Sequence, residues 1–263
     1  MGVLGRSILA LTAVVSVAFA GPGSRGQADR TELAAVLKKA AAYCRRLEGA
    51  ALDFVCQEEV KELSTRLTPS VDVYLYDYQF VRKNQETKEQ RKLLSVNGEK
   101  ASTQEMRLRT ATFQYENVLF GPVGLLSESW QAYHEYTLVG RETAGRTTIA
   151  IIEARPAVVP FEAHCFGRVW VREDDGSVVK IVWDPKSVGN YQLVEEWAKQ
   201  HGAEPLVSAY SEYGFEKNGL RFPSRSYSEE AYRLPDRGKA VNGWITVTYK
   251  KYKFFTVETE VKY

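Results

Sequence analysis

Between Gly167 and Trp183 the chain reads GRVWVREDDGSVVKIVW, with apolar and polar side chains alternating on both sides of a turn. Val169 and Val171 alternate with Arg168, Trp170 and Arg172, and Val179, Ile181 and Trp183 alternate with Val178, Lys180 and Val182. That is the period of two that a strand imposes. Asp174-Asp175-Gly176-Ser177 supplies residues that tolerate positive φ, so the stretch predicts a two-stranded antiparallel hairpin. Apolar residues on both faces of the second strand predict that the ribbon lies in the middle of a larger sheet with something packed over it, Trp170 and Trp183 serving as anchors.

The same patterning organises the rest of the chain. Asp29-Arg30-Thr31-Glu32 has the form of a capping box, and the stripe Leu33, Leu37, Ala40, Cys44, Leu47 predicts a helix from there to about Glu48, closed by Gly49. Strand-like runs follow at 52–67, 71–83 and 88–96. Asn97-Gly98, Asp175-Gly176, Asn218-Gly219 and Asn242-Gly243 each predict a hairpin turn, and together they predict an antiparallel meander. Around Asn218-Gly219 the alternation is long enough to favour a deeply bent sheet or partial barrel over a flat one. Residues 116–133 interrupt the pattern with Gly121, Pro122, Gly124 and then Leu125, Leu126 and Trp130, a loop leading into a short helix. A hairpin around Ala144-Gly145 and an amphipathic segment from Ser187 to His201 follow. The run from Phe255 to Tyr263 alternates again, as a strand with one buried and one wet face.

Composition changes this picture at three points. Residues 1–20 read as a secretory signal, with Arg6, an apolar run from Ser7 to Val17 and the small-x-small pattern Ala18-Phe19-Ala20. Cleavage after Ala20 would leave a flexible leader at 21–28 and a single domain at 29–263, periplasmic or secreted and not membrane-spanning. Formal charge is +2, so bulk electrostatics implies no nucleic acid and no acidic membrane surface. In an exported protein the three cysteines invite pairing, and Cys44 with Cys56 is the favoured couple because both stripes face one core, the alternative being buried reduced thiols. Cys165 is left over, as a buried small hydrophobe or an exposed thiol.

No catalytic constellation emerges. The chain has three histidines and no HExxH, paired CxxC, GxSxG or phosphate-binding glycine motif, so no cofactor or metal is expected. Glu162, His164 and Cys165 are close in sequence, but strand geometry would place Cys165 on the face opposite the other two. A hydrolase built on them requires the three side chains to converge. The 31 aromatic residues, 15 of them tyrosine, are accounted for by β-core packing or by the lining of an apolar concavity suited to a lipid tail. Candidates for that lining are Leu52, Phe54, Tyr76, Trp130, Trp170, Trp183 and Phe254.

An export signal, a capped helix leading into a long strand, Val96-Asn97-Gly98, the GRVWV and DDGSVVKI hairpin, the return strand NGLRFPSR (Asn218 to Arg225) and the run YKKYKFFTVETEV (Tyr249 to Val261) together resemble the periplasmic lipoprotein-carrier superfamily, proteins similar to LolA and LolB. The resemblance implies a mainly β fold with α elements: a strongly curved antiparallel sheet, an incomplete barrel, with N-terminal and inserted helices over its concave face. It also implies a non-enzymatic binding protein whose partner is a lipid or acylated lipoprotein. An envelope protein-interaction or sensor module of the same fold, with no bound lipid, is the competing expectation. The family's cavity arginine has no assignable counterpart in this sequence.

Overall fold

The computed structural model describes residues 22–65, 68–83, 86–101, 116–157 and 165–255, the first eight as backbone only. The expected signal at 1–20, Glu162, His164 and the alternating run beyond Phe255 lie outside the described residues. Helix α1 (Pro22–Ala50) leads into β1 (Phe54–Ser64), β2 (Ser70–Lys83), β3 (Glu86–Val96) and the short β4 (Glu99–Lys100). A 3₁₀ turn (Val118–Phe120), α2 (Gly121–Leu126) and α3 (Glu128–Gln131) precede β5 (His134–Ala144), β6 (Thr147–Pro156), β7 (Gly167–Arg172) and β8 (Val178–Trp183). After α4 (Tyr191–Gln200) come β9 (Glu204–Glu212), the ribbon β10 (Phe215–Lys217) and β11 (Leu220–Phe222), β12 (Arg225–Leu234) and β13 (Gly238–Phe254).

Among the described residues, eleven strands form one antiparallel sheet in the order β4-β3-β2-β1-β13-β12-β9-β8-β7-β6-β5, open at both edges, while β10 and β11 pair only with each other. The sheet curls around the helices, and its connectivity shows why. From β2 to β8 the order passes through β1, β13, β12 and β9, a span of about 24 Å on a flat sheet. Yet the Phe120 ring lies 4.9 Å from that of Phe80 on β2, and a Cβ on the adjoining Gly121 would stand 3.1 Å from Cζ2 of Trp183 on β8. Two consecutive residues touch both strands because the sheet bends round them.

Alternation decides what faces inward. In β1, Phe54, Cys56, Glu58, Val60, Glu62 and Ser64 are buried and the residues between them are not. Their neighbours Tyr74, Tyr76, Tyr78 and Phe80 on β2 and Ile245, Val247 and Tyr249 on β13 continue the same face. Against it α1 packs Val36, Ala40, Tyr43, Cys44 and Leu47, and the 3₁₀ turn with α2 packs Val118, Leu119, Val123, Leu125 and Leu126, all in one core cluster. Strand β13 is the hinge of the topology, since it pairs with β1 on one side and β12 on the other.

Several expectations need correcting. Helix α1 starts at Pro22, a residue pre-set for the first helical turn, so Asp29 is not the start and 22–28 is not a free leader. The Asn242-Gly243 pair is not a turn: it lies inside β13, where the register against β12 shifts between Glu230 and Ala231 and Gly243 faces Ser64 across β1. A strand-interior glycine beside a bulge marks close backbone approach. The Gly167 to Trp183 hairpin forms as expected, but β7 and β8 lie toward the β5 edge, and β12 and β13 occupy the middle. The alternation around Asn218 is one long hairpin interrupted: β9 pairs with β12, and the β10–β11 ribbon folds out of their connection.

Candidate functional site

The concave face beneath α1 and α2 is the one surface that gathers most of the lining candidates. Phe54 is 1% exposed and is ringed by Phe80, Phe222, Tyr252 and Phe254 at centroid distances of 6.4, 5.2, 5.3 and 6.0 Å. Tyr76 is buried on the same face, Leu52 and Phe254 pack half-buried against the cluster, and Trp183 turns inward so that its Nε1 donates to Ser211 Oγ at 3.1 Å. Trp170 and Trp130 do not join them. Trp170 is one position out of phase with the buried Val169 and Val171, so it faces outward, where Lys180 Nζ sits 5.7 Å above its ring and its Nε1 donates to Glu142. Trp130 is exposed on α3 and pairs with Tyr133 at 5.7 Å.

Tyrosine hydroxyls fasten the helical cover to the sheet. Tyr213 Oη donates to the Val118 carbonyl at 2.8 Å and Tyr136 Oη to that of Leu125, which ties the 3₁₀ turn and α2 to two different regions of the sheet. Tyr43 of α1 donates to the Arg221 carbonyl at 3.0 Å and accepts from the Arg221 N–H at 3.2 Å, which holds β11 against the helix. The Val118 carbonyl thus accepts twice, from Tyr213 and from the Gly121 N–H of its own 3₁₀ turn. Much of the tyrosine surplus therefore serves as pins. Burial raises the Tyr43, Tyr136 and Tyr213 hydroxyls above the ordinary tyrosine range, so they stay donors at any physiological pH.

Within the same face lies a charged cluster that the sequence did not announce. Arg91 on β3 donates from Nε and Nη2 to Glu58 at 2.6 and 3.1 Å and from Nη1 to Glu89 at 2.7 Å. Tyr78 Oη donates to Glu89, and the guanidinium sits 5.1 Å from the Tyr78 ring. Burial pushes the Glu58 carboxyl up, against the opposing pull of Arg91. The available signal was phase: Glu58 falls between Cys56 and Val60 on the buried stripe of β1, where a carboxylate requires a partner.

The cysteines are free thiols in this structure, so the expected Cys44–Cys56 bridge is not formed in it. Both lie in the same core cluster as expected, but they face different neighbours. Cys44 Sγ lies 3.4 Å from the Pro122 carbonyl, its acceptor, while Cys56 sits on β1 beside Tyr252, whose hydroxyl donates to the Pro223 carbonyl. Burial pushes both thiols up to about 12. Cys165 is exposed, not the buried small hydrophobe that is the commoner and favoured fate of a leftover cysteine. Among the described residues no three His, Cys, Asp or Glu side chains are grouped to hold a metal. A groove of about 510 Å³ runs along α4, lined by Gln192, Glu195, Glu196 and Lys199 together with Ala198, Ala203 and Pro205, and it is separate from the concave face.

No family model and no curated protein matches the chain. Solved structures do. A LolA superfamily protein from Nitrosomonas europaea is 13% identical with a TM-score of 0.42, covering 85% of this chain and 93% of that one. A DUF1329 family protein from Desulfovibrio piger is 10% identical with a TM-score of 0.43, and a putative outer membrane lipoprotein-sorting protein domain from Vibrio parahaemolyticus is 10% identical with a TM-score of 0.44. Each covers 85% of this chain and 95% of its own. No described helix is long and apolar enough to cross a membrane.

Proposed function

We propose that the protein is an exported, non-enzymatic carrier that takes a hydrophobic chain, from a lipid or an acylated lipoprotein, between the concave face of its sheet and the helical cover. This reading takes residues 1–20 as a cleaved signal and the remainder as one domain. The observation that carries it is the cover itself: an aromatic and aliphatic concave face closed by short helical segments that hydrogen bonds, not covalent links, fasten to the sheet. Lifting the 3₁₀ turn and α2 exposes six buried side chains, about 12 kcal/mol at roughly 2 kcal/mol each, while an acyl chain of about sixteen carbons regains roughly 13 kcal/mol at about 0.8 kcal/mol per methylene. The exchange is close to balanced, as a carrier that loads and unloads requires. Leu52, Phe54, Tyr76, Trp183 and Phe254 would contact the chain.

Two measurements test this reading. Protein purified from its native envelope should yield bound lipid on solvent extraction and mass spectrometry. In a variant with its other four tryptophans replaced by phenylalanine, brominated acyl chains should quench Trp183. Repeated recovery of lipid-free protein with unquenched Trp183 would sink the proposal. One observation favours a second reading, an envelope protein-interaction module: the concave face is filled by the chain's own side chains, while the edges β4 and β5 are unpaired. In that case filling the face further leaves function intact.

A further inference from the structure

At the end of β13 the buried aromatic cluster comes to the surface. Phe54 and Phe222 are each 1% exposed, Tyr252 and Phe254 are half-buried, and Phe215 and Phe255 are 36% and 53% exposed. The Phe215 ring stacks on Tyr252 at 4.5 Å and 15° and lies nearly parallel to Phe254 at 6.0 Å and 9°. The backbone changes course here: Lys251 has φ of 55°, and the register of β1 against β13 shifts between Val55 and Gln57. That bulge turns Lys251 out of the strand pattern, and Lys253, paired with Val55, leaves on the face opposite Phe54 and Phe254.

Charge separates this strand end from an ordinary apolar patch. Lys251 and Lys253 are exposed and enter no ion pair with a described residue, and Lys217 at the tip of the β10–β11 ribbon is exposed as well. Lys250 is already engaged with Glu59 at 3.4 Å, and Glu216 with Arg221 at 2.7 Å. Asp53 is an exposed carboxylate bordering the patch. Rings and ammonium groups at one strand end suit an interface that is apolar within and anionic at its surface. Aromatic rings settle at headgroup depth, while lysine stems lie along apolar material and keep their charges among phosphates. An acidic peptide in water would match the lysines and leave the rings wet; an uncharged apolar partner would bury unpaired ammonium groups, which is costly.

We propose that the end of β13 meets a bilayer bearing anionic phospholipid end-on, with Phe254 and the neighbouring Phe215 on one face of the strand, Lys253 on the other, and Lys251 and Phe255 flanking them. The surface goes beyond the carrier reading and stands whether or not the concave face takes a chain. Its test is co-sedimentation of the full chain with vesicles of phosphatidylethanolamine and phosphatidylglycerol, against vesicles of phosphatidylcholine alone. Binding is expected to the anionic vesicles only and to weaken as salt is raised. The K251E/K253E variant should partition about thirtyfold less, taking the loss of about one basic residue's attraction at each position as a minimum. F215S/F255S should weaken binding at every salt concentration; both variants alter exposed side chains, and circular dichroism checks their fold. Equal binding to neutral vesicles, unchanged binding of either variant, or no sedimentation of the wild type would each overturn the proposal.

Discussion

Arg91 stands between two carboxylates in a face built mostly of aromatic and aliphatic side chains, and its removal should be among the costliest single changes available. Arg91→Met leaves Glu58, which is fully buried, without its bidentate partner. A loss of about 3–5 kcal/mol is expected in urea unfolding, and E58Q/R91M should regain part of it because the stranded charge is gone. A loss below about 1 kcal/mol for the single change would show that Glu58 is not held as a charged pair. The thiols supply a second test. Reactivity follows the thiolate and its access: Cys165 is exposed although desolvation raises its thiol, so a disulfide reagent should modify it in the native protein, more slowly than a free cysteine, and reach Cys44 and Cys56 only after unfolding. Recovery of a linked Cys44–Cys56 peptide from non-reducing digests would instead show that the bridge forms. At this scale the sequence was half legible. Phase along β1 placed Phe54 and Cys56 on the inner face, and phase along β7 already set Trp170 with Arg168 and Arg172, against its choice as a lining candidate; nothing local showed that Arg91 on another strand would meet Glu58.

At the scale of elements, the Asp175-Gly176 turn does more than close a hairpin. Gly176 has φ of 75°, and a Cβ there would stand 2.4 to 2.6 Å from the backbone of Lys39 and Ala40, so the turn is pressed against α1. Lys39 Nζ also donates to the Glu173 carbonyl at 2.6 Å. Gly176→Ala should therefore cost about 2–5 kcal/mol, combining left-handed strain with overpacking. Gly145→Ala, at φ of 63° with nothing within 4 Å, should cost only about 1–2 kcal/mol. Equal losses in thermal unfolding would mean that the contact with α1 contributes nothing. Strand existence was readable from alternation because each strand buries one face. Turn signals failed at Asn242-Gly243 because the dipeptide reports only tolerance of a backbone irregularity, and a bulge uses that tolerance as readily as a hairpin does. The start of α1 was misplaced for a related reason: Asp29 can cap a helix, but Pro22 begins one earlier.

Across the whole molecule, curvature and the burial of helices on one side followed from strand length and pattern, whereas strand order did not. The pairing of β1 with β13 joins residues nearly two hundred positions apart, as Lys250 and Glu59 show with a separation of 191, and no short stretch encodes a partner at that distance. Contacts of this range slow folding, because loop closure must precede the contacts that reward it. Strand β13 also joins two parts of the sheet, β4-β3-β2-β1 on one flank and β12 through β5 on the other. It comes after every other strand of that sheet in the chain. A ribosome reading the message therefore delivers both flanks before the piece that fits between them, and until that piece emerges the growing polypeptide has two unmatched sheet edges and no finished interior. Such a chain leaves its sheet divided for most of its synthesis and closes it once the keystone strand is supplied.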